Sequence, residues 1–248
     1  MIKGQEGLRK AYQDETVARE YVELRFVQPL GAMLHARQTR VLQDLIRQQR
    51  FNRVAEVAPG PARVTVDIVP LLPNVTIIDA SIQMLAEARN RLAQRGYADR
   101  VRPVQADAFK LPVKAQFDLV YSFRLIRHFQ RDDRLKLYQQ IRSILAPGGY
   151  LVFDAVNEVV SAPLRAVGTS KEYAHFDALV TPEEITNELR ESGFEVSALT
   201  GVQHRYPTLL RTQTLVAPRS AWLARAAMEV IDRSGGEPLE WVVVCRRV

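Results

Sequence analysis

The fold class the sequence predicts is α/β: a doubly wound, mostly parallel seven-stranded sheet with helices on both faces and an N-terminal helical lid. Three observations predict it. Short β-branched apolar runs alternate with amphipathic stretches from residue 53 to residue 156. The first run, Val54 to Ala58, breaks at Pro59-Gly60-Pro61 and resumes in a helical pattern. The second, Asn74-Val-Thr-Ile-Ile-Asp79, closes on an acid about 20 residues past that turn, the spacing of a ribose-binding carboxylate in a βαβ nucleotide site. Strands that alternate with helices imply right-handed crossovers and hence parallel pairing.

Taken in order, residues 5 to 50 read as two helices. Leu8, Tyr12, Val17, Tyr21 and Leu24 keep helical spacing up to Pro29, and Leu34, Val41, Leu42, Leu45 and Ile46 form a stripe over Leu30 to Gln49. A strand at 53–58 leads to a helix near 61–72, and a strand at 74–79 to a helix at 81–95, where Ser81 caps, Met84, Leu85, Ala88 and Leu92 make the stripe, and Gly96 terminates. Strands at 101–106 and 117–122 follow, then a helix near 131–145 ended by Ala146-Pro-Gly-Gly149, and a strand at 150–156. Residues 157–180 read as irregular. Thr181-Pro-Glu-Glu184 opens a helix to Ser192-Gly193, with Thr181 as cap and Pro182 in the first turn. A strand at 194–202, a helix at 219–233 and a strand at 239–248 complete the chain. One domain over 1–248 is expected: helical lid 1–50, core 53–156, substrate-side elements and last strands 157–248.

Of the 248 residues, 47% are hydrophobic and 25% charged, the composition of an ordinary soluble globular protein. No apolar run reaches the length of a spanning helix, and Met-Ile-Lys-Gly-Gln-Glu has no signal-peptide character, so the cytosol is the expected compartment. The lone cysteine, Cys245, sits in an apolar run and reads as core; no metal site is expected. A net charge of +6 comes from arginines dispersed among acids rather than from a basic block, which argues against a nucleic-acid partner.

At Pro59-Gly60-Pro61 a strand meets a helix N-terminus, where free N–H groups gather beside a ligand. Neither G-x-G-x-x-G nor a phosphate-binding loop is present, and two prolines remove two donors. A cofactor with a ribose but no phosphate fits such a turn better than a dinucleotide.

These βα units, the acid closing the second strand, Ala106-Asp107 after the third and Leu145-Ala-Pro-Gly-Gly149 before the fifth together resemble the class I S-adenosylmethionine-dependent methyltransferases, of the Rossmann-like, small-molecule type. The opening Ala11-Tyr-Gln-Asp14 to Ala18-Arg-Glu-Tyr21 resembles their N-terminal lid helix. The resemblance assigns Glu56, Ala58, Gly60 and Pro61 to the methionine end of S-adenosyl-L-methionine. It gives the ribose hydroxyls to Asp79, with Ala80 and Met84 beside the adenine. Asp107 takes the adenine amino group with Ala108 adjacent, and Ser122 and Phe123 line the methionine side. The departure lies at Ala58 and Ala62, where the family carries glycine. Alanine costs little there if φ is negative, although each Cβ narrows the approach.

Methyl transfer needs in-line orientation and exclusion of water, and an oxygen or nitrogen acceptor also gains from a base. His128, just past the fourth strand, is the candidate catalytic residue. Tyr12, Arg124 and Asn157 are substrate-side candidates, and His35, His175 and His204 lie further off. Ser122-Phe-Arg-Leu125 differs from the Asn/Asp-Pro-Pro-Tyr of amino-methylating nucleic-acid enzymes, so a small-molecule acceptor is expected. The alternatives are a binding or regulatory protein that has lost catalysis, an RNA or protein methyltransferase, and a nicotinamide oxidoreductase. The sequence leaves the oligomeric state open.

Overall fold

In a computed structural model that describes residues 26–111, 116–167 and 176–248, the chain forms a sheet of eight strands rather than seven. Strand β1 (Val54–Val57) lies between β2 (Val75–Asp79) and β4 (Phe117–Ser122), parallel to both. Beyond β2 comes β3 (Val101–Gln105), and beyond β4 comes β5 (Leu145–Asn157), again parallel. The extra strand is β6 (Leu179–Val180), two residues pairing with the tip of β5 and too short to leave a periodicity in the sequence. From the far side β7 (Phe194–His204) and β8 (Pro238–Arg247) close the sheet, β8 antiparallel to both β5 and β7, in the order β3-β2-β1-β4-β5-β8-β7.

Successive residues of β1 feed opposite faces, as the pleat requires. Val54 enters a core with Leu34, Leu42 and Ile77, whereas Ala55 and Val57 enter a second core with Leu137, Ile141 and Leu151. Both cores need helical cover, and the alternation supplies it on each face.

Eight helices of four or more residues are described. They are α1 (Pro29–Gln48), α2 (Thr65–Ile68), α3 (Ile82–Gln94), α4 (Arg131–Ile144), α5 (Glu158–Val167), α6 (Pro182–Glu191), α7 (Tyr206–Val216) and α8 (Ala221–Arg233). The predicted caps form: Ser81 Oγ accepts from the Met84 N–H, and Thr181 with Glu184 makes a reciprocal capping box. The helix predicted over 61–72 shrinks to α2 and a 3-10 turn at Val69–Leu71, because Pro70 interrupts it. The predicted strand at 150–156 begins earlier, but its regular pairing with β4 starts only at Tyr150, after a register shift beside Gly148 (φ 75°). Helices α5 and α7 were not legible. Each carries a proline, Pro163 inside α5 and Pro207 in the first turn of α7, which reads as a breaker in sequence.

The N-terminal helical lid is described only as α1. Leu34, Leu42 and Ile46 bury it in the core, and none of its residues lines the cleft described below. The preceding helical segment with Tyr12, and His175, lie outside the described residues.

Candidate active site

The strand order reverses direction at β1, so the loops leaving β1 and β4 part at the carboxyl edge and open a crevice between them. A cleft of about 1060 Å³, open to solvent, occupies this place and is walled by the segments that follow β1, β2, β3 and β4.

The turn after β1 forms its floor. Ala58, Gly60 and Ala62 all adopt left-handed φ, at 55°, 56° and 57°. The condition under which alanine would cost little, a negative φ, is therefore not met. A Cβ in this region costs roughly 1–2 kcal/mol, and only well-fixed surroundings retain it. Those surroundings are present: the Ala58 N–H donates to the Ile78 carbonyl at 2.7 Å, and the Ala62 N–H donates to the Pro59 carbonyl at 3.1 Å.

Asp79 ends β2 beside this turn. Its Oδ2 accepts from the Gly60 N–H at 3.1 Å and its Oδ1 from the Ser81 N–H at 2.8 Å. The carboxylate thus ties two strand-end turns together while bordering the cleft. Burial pushes its pKa up to about 6, only partly offset by those backbone donors.

Glu56 is buried in β1, in register with Tyr121 of β4, and accepts a hydrogen bond from the Thr65 hydroxyl. Burial raises its pKa to about 7 against the pull of Thr65 and of the Arg63 guanidinium. Arg63, itself buried, donates to His35 Nδ1 at 2.5 Å and Gln38 Oε1 at 2.8 Å and covers the Phe26 ring at 4.0 Å. Helix α1 therefore touches the site through Arg63.

Past β3, Asp107 Oδ1 accepts from the Phe109 N–H at 3.0 Å, fixing the loop that presents Ala106, Ala108 and Phe109 to the cleft. Past β4, Phe123, Arg124, Leu125, His128 and Phe129 form the opposite wall, with Phe109 and Phe129 edge to face at 4.9 Å. Arg124 takes φ 63°, and its N–H donates to Asp154 Oδ1 at 2.5 Å. His128 Nδ1 faces two acceptors, the Phe176 carbonyl at 2.8 Å and Asp177 Oδ1 at 3.0 Å. With two acceptors there, Nδ1 carries the proton and the neutral ring's lone pair lies on Nε2.

Behind this wall is a buried ion network. Arg127 donates to Asp177 (Nε–Oδ1 2.8 Å), to Asp154 Oδ2 at 3.2 Å and to Glu240 Oε1 at 2.5 Å, and Arg165 donates to Asp177 Oδ2 at 2.6 Å. Burial would raise the Asp177 carboxyl, but Arg127 and His128 outweigh it and hold the group well below the ordinary carboxylate range.

The sequence-predicted residues thus divide. Glu56, Ala58, Gly60, Asp79, Ala80, Met84, Asp107, Ala108, Phe123, Arg124 and His128 come together around one cleft. Three do not. Pro61 is buried outside the lining. Ser122 is fully buried and spends its hydroxyl on the Val57 carbonyl at 2.7 Å, which locks β4 to β1. Asn157 is fully buried at the end of β5, accepting from the Val159 N–H and donating to the Pro238 carbonyl, so it caps α5 and lies outside the cleft lining. Missed by sequence reasoning were Arg63, Phe109, Phe129 and Asp177. Phe109 and Phe129 follow recognised positions closely, whereas nothing local marked Asp177, 49 residues beyond the histidine it contacts.

A switch-point cleft that joins a strand-end acid to an apolar wall is where an open α/β sheet takes a nucleoside-bearing ligand. The family model described as a methyltransferase domain matches residues 54–149 of the chain. The chain is 32% identical over 150 residues to the ubiquinone/menaquinone biosynthesis C-methyltransferase UbiE of Azotobacter vinelandii, covering 58% of each. It is 35% identical over 124 residues to the malonyl-acyl-carrier-protein O-methyltransferase of Enterobacter lignolyticus, covering 50% of this chain and 46% of that one. The matched part is thus about half to three fifths of the length of these curated relatives. Among solved structures, the fold is shared with magnesium protoporphyrin IX methyltransferase (ChlM) of Synechocystis, solved with bound SAH (TM-score 0.69, 11% identity, 97% and 98% of the two chains). It is also shared with the 4+2 cyclase SpnF (TM-score 0.59, 18% identity, 84% and 80%).

Proposed function

We propose that this chain binds S-adenosyl-L-methionine in the switch-point cleft and transfers its methyl group to a small-molecule acceptor. The observation that carries this reading is Asp79: a carboxylate at the carboxyl end of β2, held by the Gly60 and Ser81 N–H groups, beside the apolar wall of Ile78, Met84 and Phe109. The donor set fits an adenosyl cofactor. An acceptor-only side chain suits a ribose diol, a second acid (Asp107) suits an exocyclic amine, and no cluster of phosphate-binding amides accompanies them.

When bound, the cofactor supplies an electrophilic methyl group on a sulfonium whose charge is lost on transfer. The protein's part is placement and dryness. Asp79 and Asp107 hold the nucleoside. Glu56, poised near neutrality, takes the ammonium of the methionine end, and Arg63 lies at the same end with positive charge for its carboxylate. Phe109, Phe123 and Phe129 keep water from the reacting atoms. His128 Nε2 receives the proton of an O–H or N–H acceptor while Asp177 and the Phe176 carbonyl fix the ring's tautomer through Nδ1. The similarity to UbiE and to malonyl-acyl-carrier-protein O-methyltransferase supports a small organic acceptor, and no helix among the described residues is long and apolar enough to cross a membrane.

A second reading, a binding protein that keeps the scaffold without transfer, is favoured by one feature: the two left-handed alanines where the turn meets the methionine end. Two measurements separate them. Calorimetric titration with S-adenosylhomocysteine reports binding, and release of that product in the presence of phenol, carboxylate and amine acceptors reports transfer. Binding with turnover supports the enzyme; binding without turnover across the panel favours the second reading; no binding removes both.

A further inference from the structure

Helices α7 and α8 leave the sheet after β7 and return at β8, and His204 pairs with Pro238 at their base. Since β8 is antiparallel to β5, and Val156 near the end of β5 pairs with Glu240, this hairpin rises from the same carboxyl edge that carries the cleft. Helix α8 is apolar on two sides. One stripe, Ala224, Met228 and Ile231, packs inward, where Met228 meets Leu30, Met33 and Leu209. The other, Trp222, Leu223, Ala226 and Val230, faces solvent, with Trp222 73% and Val230 71% exposed. A helix apolar on both faces ordinarily has cover on both. The last turn of α7 adds Leu215, 63% exposed.

The charge around this stripe has one sign. Residues 205–233 contain Arg205, Arg211, Arg219, Arg225 and Arg233 against Glu229 and Asp232. Both acids are engaged by Arg37 from outside the hairpin, Asp232 Oδ2 at 3.0 Å and Glu229 Oε2 at 2.8 Å; Asp232 Oδ1 also accepts from the His204 N–H, and Glu229 is shared with Arg233. All five arginines are exposed; Arg233 lies 3.7 Å from Glu229, and the other four have no acid of the hairpin against them, so the hairpin carries an excess of positive charge.

We propose that the α7–α8 hairpin docks on an anionic lipid surface, with Trp222, Leu223 and Val230 entering the headgroup–acyl boundary and the arginines meeting lipid phosphates. An exposed tryptophan beside aliphatic residues, on a hairpin rich in exposed arginine, is the pattern of an interfacial helix and not of a spanning one. The charge selects this occupant: a second copy would bring the same excess of arginine, Arg205, Arg211, Arg219 and Arg225, against these. Docking there places the cleft edge of the sheet toward the lipid.

The test is vesicle flotation and tryptophan fluorescence, using vesicles of phosphatidylcholine alone and of phosphatidylcholine mixed equally with phosphatidylglycerol. The expected result is partitioning onto the mixed vesicles at low salt, a blue shift of the Trp222 emission (read in a Trp241→Phe background), and weakening as salt rises. Trp222→Ser with Leu223→Ser should lower partitioning about tenfold or more, and Arg219→Glu with Arg225→Glu should abolish the preference for the anionic lipid. All four positions are exposed, so folding is preserved; thermal melts check this, and S-adenosylhomocysteine titration reports separately on the proposed cofactor cleft. No partitioning at low salt, or partitioning that these variants leave unchanged, overturns the proposal. So does a stable dimer by light scattering that Trp222→Ser dissociates, which would make a second copy the occupant.

Discussion

Replacing Ala58 by glycine should stabilise the protein, although glycine ordinarily weakens ordered structure. At φ 55° the alanine Cβ costs roughly 1–2 kcal/mol, which glycine removes. Against this, glycine loses about 0.5–1 kcal/mol more backbone entropy on folding. Ala58 is only half-buried, so little packing is lost and the net gain is about 0.5–1 kcal/mol. For a chain of this size that raises Tm by about 1–4 °C. Ala62 provides an internal comparison. Its φ is 57°, but its methyl group is fully buried in the core with Val54 and Ile68, and that burial is worth about 0.8 kcal/mol. Ala62→Gly should therefore come out near neutral. Ala55→Gly, in β1 at a fully buried position without positive φ, should destabilise by about 1 kcal/mol or more. Scanning calorimetry of the three variants reads the order directly. If Ala58→Gly destabilises as Ala55→Gly does, the left-handed turn and the strain assigned to it are wrong.

Stability and cofactor binding should respond to pH in opposite directions. Glu56 and Asp79 have folded-state pKa values of about 7 and about 6, raised by burial, so the native state holds their protons more tightly than the unfolded chain. Their contribution falls as pH rises through the window from the ordinary carboxylate range to about 7, so melting temperature should climb as pH drops from 8 toward 5, with Glu56→Gln flattening the climb. Cofactor affinity, which uses ionised Asp79, should instead weaken below about pH 6 in calorimetric titrations. Arg134→Ala should cost about 3–5 kcal/mol in chemical denaturation, because it strands the buried Glu188 that Arg134 grips through Nε at 3.0 Å and through Nη2. Arg134→Met with Glu188→Leu should recover most of that loss. Asp177→Asn, by removing a charged acceptor that orients the His128 ring through Nδ1, should lower kcat while leaving cofactor affinity unchanged.

The sequence made the half of the cleft after β1, β2 and β3 legible because that half is local. Glu56, Gly60, Asp79 and Asp107 each sit at or just past a strand end, and β-branched runs announce strand ends. What the turn does at Ala58 and Ala62 stayed open in the sequence, since residue type alone does not report the sign of φ. Ser122 and Asn157 also occupy strand ends, but their side chains are consumed by β1 and β8 backbone, a contact set only by the packed sheet. The network behind the wall past β4 resisted for a different reason. Arg127, Asp154, Asp177 and Glu240 come from β5, β8 and two connections and converge only when β8 inserts antiparallel beside β5. The two helices that escaped prediction, α5 and α7, each hold a proline that the fold tolerates at its place.

The most direct test of the account is calorimetric titration of the wild-type chain and of Asp79→Ala with S-adenosylhomocysteine. The account predicts saturable binding by the wild type, weakened by roughly 1–3 kcal/mol in a variant that still melts cooperatively. A flat titration for the wild type, or identical affinity in the folded variant, would contradict it.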